Sequence, residues 1–280
     1  MILIDLNQMV FANLFQVLAE GPLDEGLMRH FILNTMRTYV HKFRHTYGPE
    51  VVVAMDNRHY WRRDIFPQYK HGRKKSREAS GIDWTAVFQI LDHLREEFKT
   101  SLPYRVLDVT GAEADDIIGT LCYKYGPGEK MIILSSDKDF IQLQSIPGVV
   151  QYSPILKKMI QDPFPSAHLK QLIIRGDTGD GIPNILSVDN AFTDKIRQKP
   201  ILEAKLIKWM NQDPADFCTT EMLRNYHRNK QLIDLTQIPA TLQGQILLSY
   251  ETALPAAKTV FLNYLIQAKL KNLIEVADEF

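Results

Sequence analysis

The stretch RVLDVTGAEADDIIGTLCYKYGPGEKMIILSSDKDF, Arg105–Phe140, decides the fold. It reads as an apolar strand, an acidic helix start, a helix, a glycine turn, a second apolar strand and two further aspartates. Strand, helix and strand in that order make a crossover unit, so the strands run parallel and bring their C-terminal ends to one sheet edge. Glu113, Asp115 and Asp116 open the helix, and Asp137 and Asp139 follow the strand Met131–Leu134, so five acids converge on one crevice. A helix N-terminus favours acids in its first turn for its own sake. That accounts for the first three, but not for two aspartates behind a separate strand.

Toward the N-terminus the pattern repeats. Ile2-Leu3-Ile4 is a short strand ending in Asp5, and the continuous β-branched run Val51–Met55, suited to burial on both faces, ends in Asp56. A helix over Leu27–Tyr47 lies between them and stops at Gly48-Pro49. Helices at Ile82–Phe98 and Glu113–Tyr125 alternate with strands at Tyr104–Val109 and Met131–Leu134, and Val149–Tyr152 and Lys158–Ile160 read as edge strands. The alternation predicts an α/β fold, its mostly parallel, twisted sheet covered by helices.

Beyond Phe164 the character changes. A helix at His168–Ile174 leads into the turn RGDTGDGIPN, Arg175–Asn184, where Asp177 and Asp180 stand three apart and point the same way if the turn is helical. Helices alone follow, at Pro200–Met210, Met222–Leu235, Leu242–Ser249 and Ala256–Ala268. The expected division is an α/β domain over 1–182 and a smaller α-helical domain over 183–280.

At 280 residues and 45% hydrophobic content the chain can bury a substantial core. Cys122 and Cys218 lie far apart without zinc-ligand spacing, which fits a reducing cytoplasm. No apolar run approaches the roughly 20 residues of a membrane span, and the N-terminus lacks a signal-peptide shape, so no membrane partner is expected. The 33 basic and 33 acidic residues balance, but nine of the acids belong to strand ends and adjoining turns, which leaves the remaining surface basic.

That basic character peaks in RHYWRRDIFPQYKHGRKKSR, Arg58–Arg77, with eight Lys or Arg and one acid, Asp64. Arg58, Arg62, Arg63, Lys74, Lys75 and Arg77 suit phosphate neutralisation, while Tyr60 and Tyr69 suit stacking on bases, so the segment reads as a nucleic-acid clamp rather than core.

The nine acids are Asp5, Asp56, Glu113, Asp115, Asp116, Asp137, Asp139, Asp177 and Asp180. Hard oxygen ligands in this number suit two Mg²⁺, or Mn²⁺, roughly 3.5–4 Å apart, a pair that clamps both oxygens of an in-line phosphoryl displacement. Lys70 and Arg73 are then candidates for stabilising the scissile phosphate.

In their order, Ile4-Asp5, Met55-Asp56, Tyr69-Lys70 with Arg73, Gly111–Asp116, Ser136–Asp139 and Gly176–Asp180 resemble the flap endonuclease, or 5′-nuclease, superfamily. Within it, Tyr60–Asp64 and Glu279-Phe280 look most like the T-even-type phage RNase H branch of 5′-to-3′ exonucleases. The resemblance covers nearly the whole chain. It implies a PIN-like domain and a helix-three-turn-helix region that holds duplex, with residues 58–80 as a flexible arch over the 5′ strand. It further implies a first metal at Asp5, Asp56, Glu113, Asp115 and Asp137, a second at Asp139, Asp177 and Asp180, and Asp116 as an accessory acid.

By the same resemblance the substrates are DNA with a 5′ flap or fork and RNA·DNA hybrid. The setting is primer removal by a monomer in the cytoplasm of an infected bacterial host, where single-strand-binding protein and a sliding clamp are candidate partners. One departure stands out: the Gly-Ile-Gly-x-Lys hairpin of many relatives is replaced by IPNILSVDNAFTDK, Ile182–Lys195.

Two other classes compete. A haloacid-dehalogenase-type phosphatase also places an aspartate after its first strand, but needs a second two residues on, where this chain has Asn7. A non-catalytic nucleic-acid-binding accessory protein would use the acids only for calcium or for the fold.

Overall fold

The computed structural model describes residues Met1–Phe280. In chain order the elements are β1 (Ile2–Asp5), α1 (Leu6–Glu20), α2 (Glu25–Tyr47), β2 (Val51–Ala54), α3 (Arg62–Ile65), α4 (Gly72–Glu78), α5 (Trp84–Ser101), β3 (Arg105–Leu107), α6 (Ala114–Tyr125) and β4 (Met131–Leu134). A 3-10 helix over Lys138–Ser145 precedes β5 (Val149–Ser153), β6 (Lys158–Ile160) and α7 (Pro165–Arg175). Then come α8 (Glu203–Met210), α9 (Pro214–Phe217), α10 (Thr220–Ile233), α11 (Ala240–Thr252), α12 (Lys258–Gln267) and α13 (Lys271–Ile274). None of these helices is long and apolar enough to cross a membrane.

The packing forms two units. The first contains Met1–Arg58, Asp83–Gln161 and Ala240–Phe280; the second contains His59–Ile82 and Asp162–Pro239.

The first unit holds one six-stranded sheet in the order β3-β2-β1-β4-β5-β6. Every neighbouring pair is parallel except β5 with β6, as expected for the class. All residues of β1, β2 and β4 are buried, so both faces are covered, which is why these strands read as unbroken apolar runs. From β1 the chain builds outward to β2 and β3, then reverses to β4 and β5 on the other side. The reversal opens a crevice at the C-terminal ends of β1 and β4, the position where doubly wound sheets take their ligands.

Helix α1 has no counterpart among the expected elements. Asp5 caps it by accepting from the Gln8 N–H, and Leu6, Met9, Val10, Leu14 and Val17 form its buried stripe. The helices beyond residue 183 are present, but the two units divide them. Helix α11 packs its buried Leu242 and Ile246 in the first unit, where α11 lies against α6 and β3. The chain's end packs there too: Phe280 is buried against Tyr104 and Phe261, and Arg44 donates to its carbonyl at 2.6 Å.

The second unit has two apolar clusters. Ile173, Ile174, Ile185, Leu206, Trp209 and Tyr226 join α7, α8 and α10. Phe66 and Tyr69 pack with Ile182, Leu232 and Ile233. Helix α7, a run of turns and α8 make up the helical region that follows the sheet.

Candidate metal centre

The reversal point of the sheet places Asp5 at the end of β1, Asp56 two residues beyond β2, and Asp137 three residues beyond β4. Each carboxylate is held by donors of its own unit. Asp5 accepts from Gln8 N at 3.1 Å and from Ser135 Oγ at 2.9 Å. Asp56 accepts from the Ala114 N–H at 2.8 Å, at the positive end of α6, and from the Asn7 side-chain amide. Asp137 caps the following 3-10 helix by accepting from the Asp139 N–H at 3.0 Å. No lysine or arginine pairs with any of the three.

Glu113 is the N-cap of α6 and is buried, with Asp115 half-buried in the first turn. Asp116 is fully buried and turns back on its helix, accepting from the Glu113 N–H at 2.9 Å. It therefore holds the helix start that carries Glu113 and Asp115, the ordinary use of an acid at that place.

Asp108, at the same edge, is the control. It pairs with Lys99 at 2.6 Å and Arg95 at 3.1 Å and accepts from Asn57. Burial pushes its pKa up, but those partners outweigh burial and hold it below the ordinary carboxylate value. Asp5 has no such relief. Burial first and then the Asp56 charge push its pKa up to about 7; the Gln8 N–H opposes them, and the Asp137 charge and the Ser135 hydroxyl follow as lesser upward and downward influences. Hard oxygen donors that raise one another's pKa and have no basic partners fit a divalent cation such as Mg²⁺ or Mn²⁺.

The pH consequence has a definite sign. The native Asp5 pKa lies above the ordinary 3.8, so the proton stabilises the metal-free fold below about pH 4, and that stability is lost as pH rises toward 7. Magnesium that displaces the proton should therefore raise the melting temperature by several degrees more at pH 8 than at pH 6. Equal magnesium shifts at both pH values in a thermal-melt series would contradict this origin.

In the second unit, the turn after α7 begins at Gly176, whose φ of 69° and close approach to the Ile182 carbonyl, 2.3 Å from where a Cβ would sit, exclude any side chain. The turn is not helical. Asp177 Oδ1 closes it by accepting from Gly179 N at 2.6 Å and Asp180 N at 3.2 Å. One carboxylate oxygen of Asp177 lies within 4.8 Å of one from Asp180, an approach made by this turn rather than by helical spacing.

Asp180 is buried and accepts from Tyr69 Oη at 2.8 Å and from an Arg73 guanidinium nitrogen, with Lys70 Nζ 3.6 Å away. The Lys70 N–H also donates to the Asp180 carbonyl at 2.8 Å, which fixes Lys70 in a left-handed conformation at φ 57°. Lys70 and Arg73 thus sit together, on a carboxylate of their own unit.

The basic segment departs from its expected form. It is not a loop poor in core residues: it folds into α3 and α4, and Phe66 and Tyr69 enter an apolar cluster. Tyr69 is 2% exposed with its hydroxyl on Asp180, and Arg62 is 3% exposed with its Nε on the Leu232 carbonyl. These two are framework residues here, not a base platform and a phosphate contact.

Arg63, Lys74 and Lys75 are exposed, and Tyr60 lies between Tyr69 and the Arg63 guanidinium. Arg77 is half-buried; burial and the nearby Arg73 charge lower its pKa, the mark of cations crowded on one surface. Arg58 belongs to the first unit and pairs with Asp92.

The sequence that replaces the glycine hairpin is fixed by α10. Asn225 donates to the Ile185 and Ser187 carbonyls at 3.0 and 3.2 Å, Asn229 to those of Ile173 and Pro183 at 2.8 and 2.9 Å, and Arg228 to Pro183 at 2.8 Å. Sequence reading passed over these side chains. Their signal was two amides four apart on one helix face otherwise carrying Tyr226 and Leu232.

Residues 1–164 match the family described as 5′-3′ exonuclease, N-terminal resolvase-like domain, and residues 165–280 match that described as T4 RNase H, C terminal. The chain is 31% identical to ribonuclease H of Enterobacteria phage T4 over 290 aligned positions, covering 99% of this chain and 95% of that protein. It is 30% identical to the flap endonuclease Xni of a Shewanella species, over 46% of this chain and 49% of that one.

Among solved structures, the 5′-exonuclease of bacteriophage T5 with zinc ions bound superposes with a TM-score of 0.54 at 14% identity, covering 99% of both chains. The T5 flap endonuclease in a pseudo-enzyme–product complex with DNA and metal ions gives 0.58 at 15% identity, over 96% of this chain and 98% of that one. These two share the fold. The chain belongs to the 5′-3′ exonuclease family, with a C-terminal part of the T4 RNase H type, and is a metal-dependent nuclease.

Proposed function

We propose that this nuclease is a 5′-to-3′ exonuclease and flap endonuclease that hydrolyses phosphodiesters of DNA and of RNA paired with DNA, and so removes RNA primers in lagging-strand replication. The observation that carries the reading is the acidic edge at the sheet's reversal point, where Asp5, Asp56 and Asp137 lack basic partners although Asp108 beside them has two. In this reading Asp5, Asp56, Glu113, Asp115 and Asp137 hold one Mg²⁺, and Asp139, Asp177 and Asp180 a second. Bound magnesium supplies a nucleophile at neutral pH and offsets charge developing on the scissile phosphate.

The chain's own side chains do the rest. Asp116 fixes the start of α6, and Lys70 and Arg73 turn from Asp180 toward phosphate oxygens. Arg63, Lys74, Lys75 and Arg77 neutralise the backbone of the 5′ strand with release of counterions. The substrates are flap or fork DNA and RNA·DNA hybrid, met by a monomer in the cytoplasm of an infected bacterium. Single-strand-binding protein and a sliding clamp are the partners such a setting offers.

The test is cleavage of 5′-labelled flap DNA and of an RNA·DNA hybrid with magnesium, beside calcium and a Lys70→Met variant. Short 5′ products are expected from both substrates with magnesium, and binding without hydrolysis with calcium. Lys70→Met keeps the apolar stem and removes the charge, so kcat should fall on the order of 10²-fold with little change in duplex affinity. Tight binding without any cleavage by the wild type would return the accessory-protein reading.

A further inference from the structure

A strand buried on both faces is a costly place for a glutamine, because a buried amide left without partners keeps the full cost of its lost hydration. Gln151 lies in β5 with no exposed surface, and its amide is fully used. Both amide protons go to the turn after β4: Nε2 donates to the Ser135 carbonyl at 3.0 Å and to the Asp137 carbonyl at 2.6 Å. Its oxygen accepts from Gln144 Nε2 at 3.1 Å, and Gln144 is tied in turn to the Ile160 carbonyl.

Ser135, also fully buried, completes the brace. Its hydroxyl donates to Asp5 Oδ2 at 2.9 Å and accepts from the Asp137 N–H at 3.1 Å. One hydroxyl therefore joins the acid at the end of β1 to the acid beyond β4, and one amide fixes the turn between them.

We infer that Gln151 and Ser135 are positioning residues: the amide shapes the turn that carries Asp137, and the hydroxyl sets the separation of Asp5 and Asp137. Together they govern how tightly and how selectively this edge takes a divalent cation. The inference rests on the reading of the edge as a metal site. Magnesium demands near-ideal octahedral geometry and manganese tolerates more distortion, so a loosened turn penalises magnesium first.

The experiment is calorimetric titration of folded protein with Mg²⁺ and with Mn²⁺, with metal-free melting temperatures beside it. The variants are Gln151→Met, which keeps volume and removes the amide, Ser135→Ala, and Ser135→Thr, which restores the hydroxyl. Gln151→Met and Ser135→Ala should each weaken Mg²⁺ binding about 10- to 100-fold, as loss of a ligand-orienting partner does, with a smaller loss for Mn²⁺ and near-complete rescue in Ser135→Thr.

Lower melting temperature with unchanged affinity for both metals would make the brace purely structural and overturn the inference. If Gln151→Met does not fold, the serine pair decides alone. If Asp137→Asn binds both metals as tightly as the wild type, the metal-site reading itself fails, and this inference with it.

Discussion

Asp137→Asn is expected to lower magnesium-dependent cleavage on the order of 10³-fold while leaving the fold intact. Asp137 is exposed, and its carboxylate makes one structural bond, accepting from the Asp139 N–H at 3.0 Å. Asparagine caps a helix as well as aspartate does, so that bond survives. The bonds of its backbone, from the N–H to Ser135 Oγ and from Gln151 Nε2 to its carbonyl, are unaffected. What disappears is one anionic oxygen from a group of three carboxylates without basic partners. Metal-free protein should accordingly melt no lower than wild type at pH 8, since a charge that raises the Asp5 pKa is gone. The pair of measurements is kcat/KM on flap DNA and a melt without metal. Cleavage within tenfold of wild type would remove Asp137 from the metal centre.

Asp180→Asn, unlike Asp137→Asn, should destabilise the fold, by about 3 kcal/mol. Asp180 and Lys70 are 8% and 7% exposed, and the carboxylate also accepts from Tyr69 and Arg73, so neutralising it takes the anionic partner from a buried cation. Burial pushes the Asp180 pKa up, yet the charges of Lys70 and Arg73 and the Tyr69 hydroxyl outweigh it and hold it below the ordinary 3.8. Its contribution is therefore present above about pH 4 and is lost as pH falls through the depressed native value. Urea denaturation at pH 7 and pH 3 checks both parts. The variant should lose stability at pH 7 and show a flatter acid limb; a variant as stable as wild type at pH 7 would mean that the cluster is worth little.

The contrast between Asp137 and Asp180 was invisible in the sequence, where both are aspartates in glycine- or serine-containing turns. The strands were legible because burial on both faces forces unbroken apolar runs, and Asp5, Asp56 and Asp137 drew notice because they stand at or within three residues of the ends of those runs. Helix α1 escaped because Asp5 has two uses, and reading it as a ligand hid its role as the cap of Leu6–Glu20. Tyr69 and Arg62 were misplaced because a basic, aromatic composition describes a solvated clamp equally well as a packed one. The partners that bury Tyr69, Ile182, Leu232 and Ile233, lie more than 100 positions away. Gln151 and Ser135 drew no notice, since nothing local announces that the Gln151 amide closes on the turn after β4 or that the Ser135 hydroxyl reaches Asp5 at the end of β1. The helical content beyond residue 183 was readable from periodicity, but its assignment to two units depends on contacts such as those of Leu242 and Ile246, which periodicity does not encode.

The division of the first unit into three sequence segments bears on when the nuclease becomes active during its own synthesis. Strand β1 is made first, yet its partner β4 follows after roughly 130 residues, and the α11 face that covers α6 and β3 follows only beyond residue 239. A chain still emerging from the ribosome can close the second unit before the first is covered. Until residues 240–280 arrive, α6 rests on β1, β2 and the 3-10 helix but has no cover from α11, so a partly made chain carries the acids on an unfinished frame. Chains that stop short of residue 240 therefore leave bare the apolar surface that α11 covers, which makes nascent or truncated chains aggregation-prone until the last segment docks.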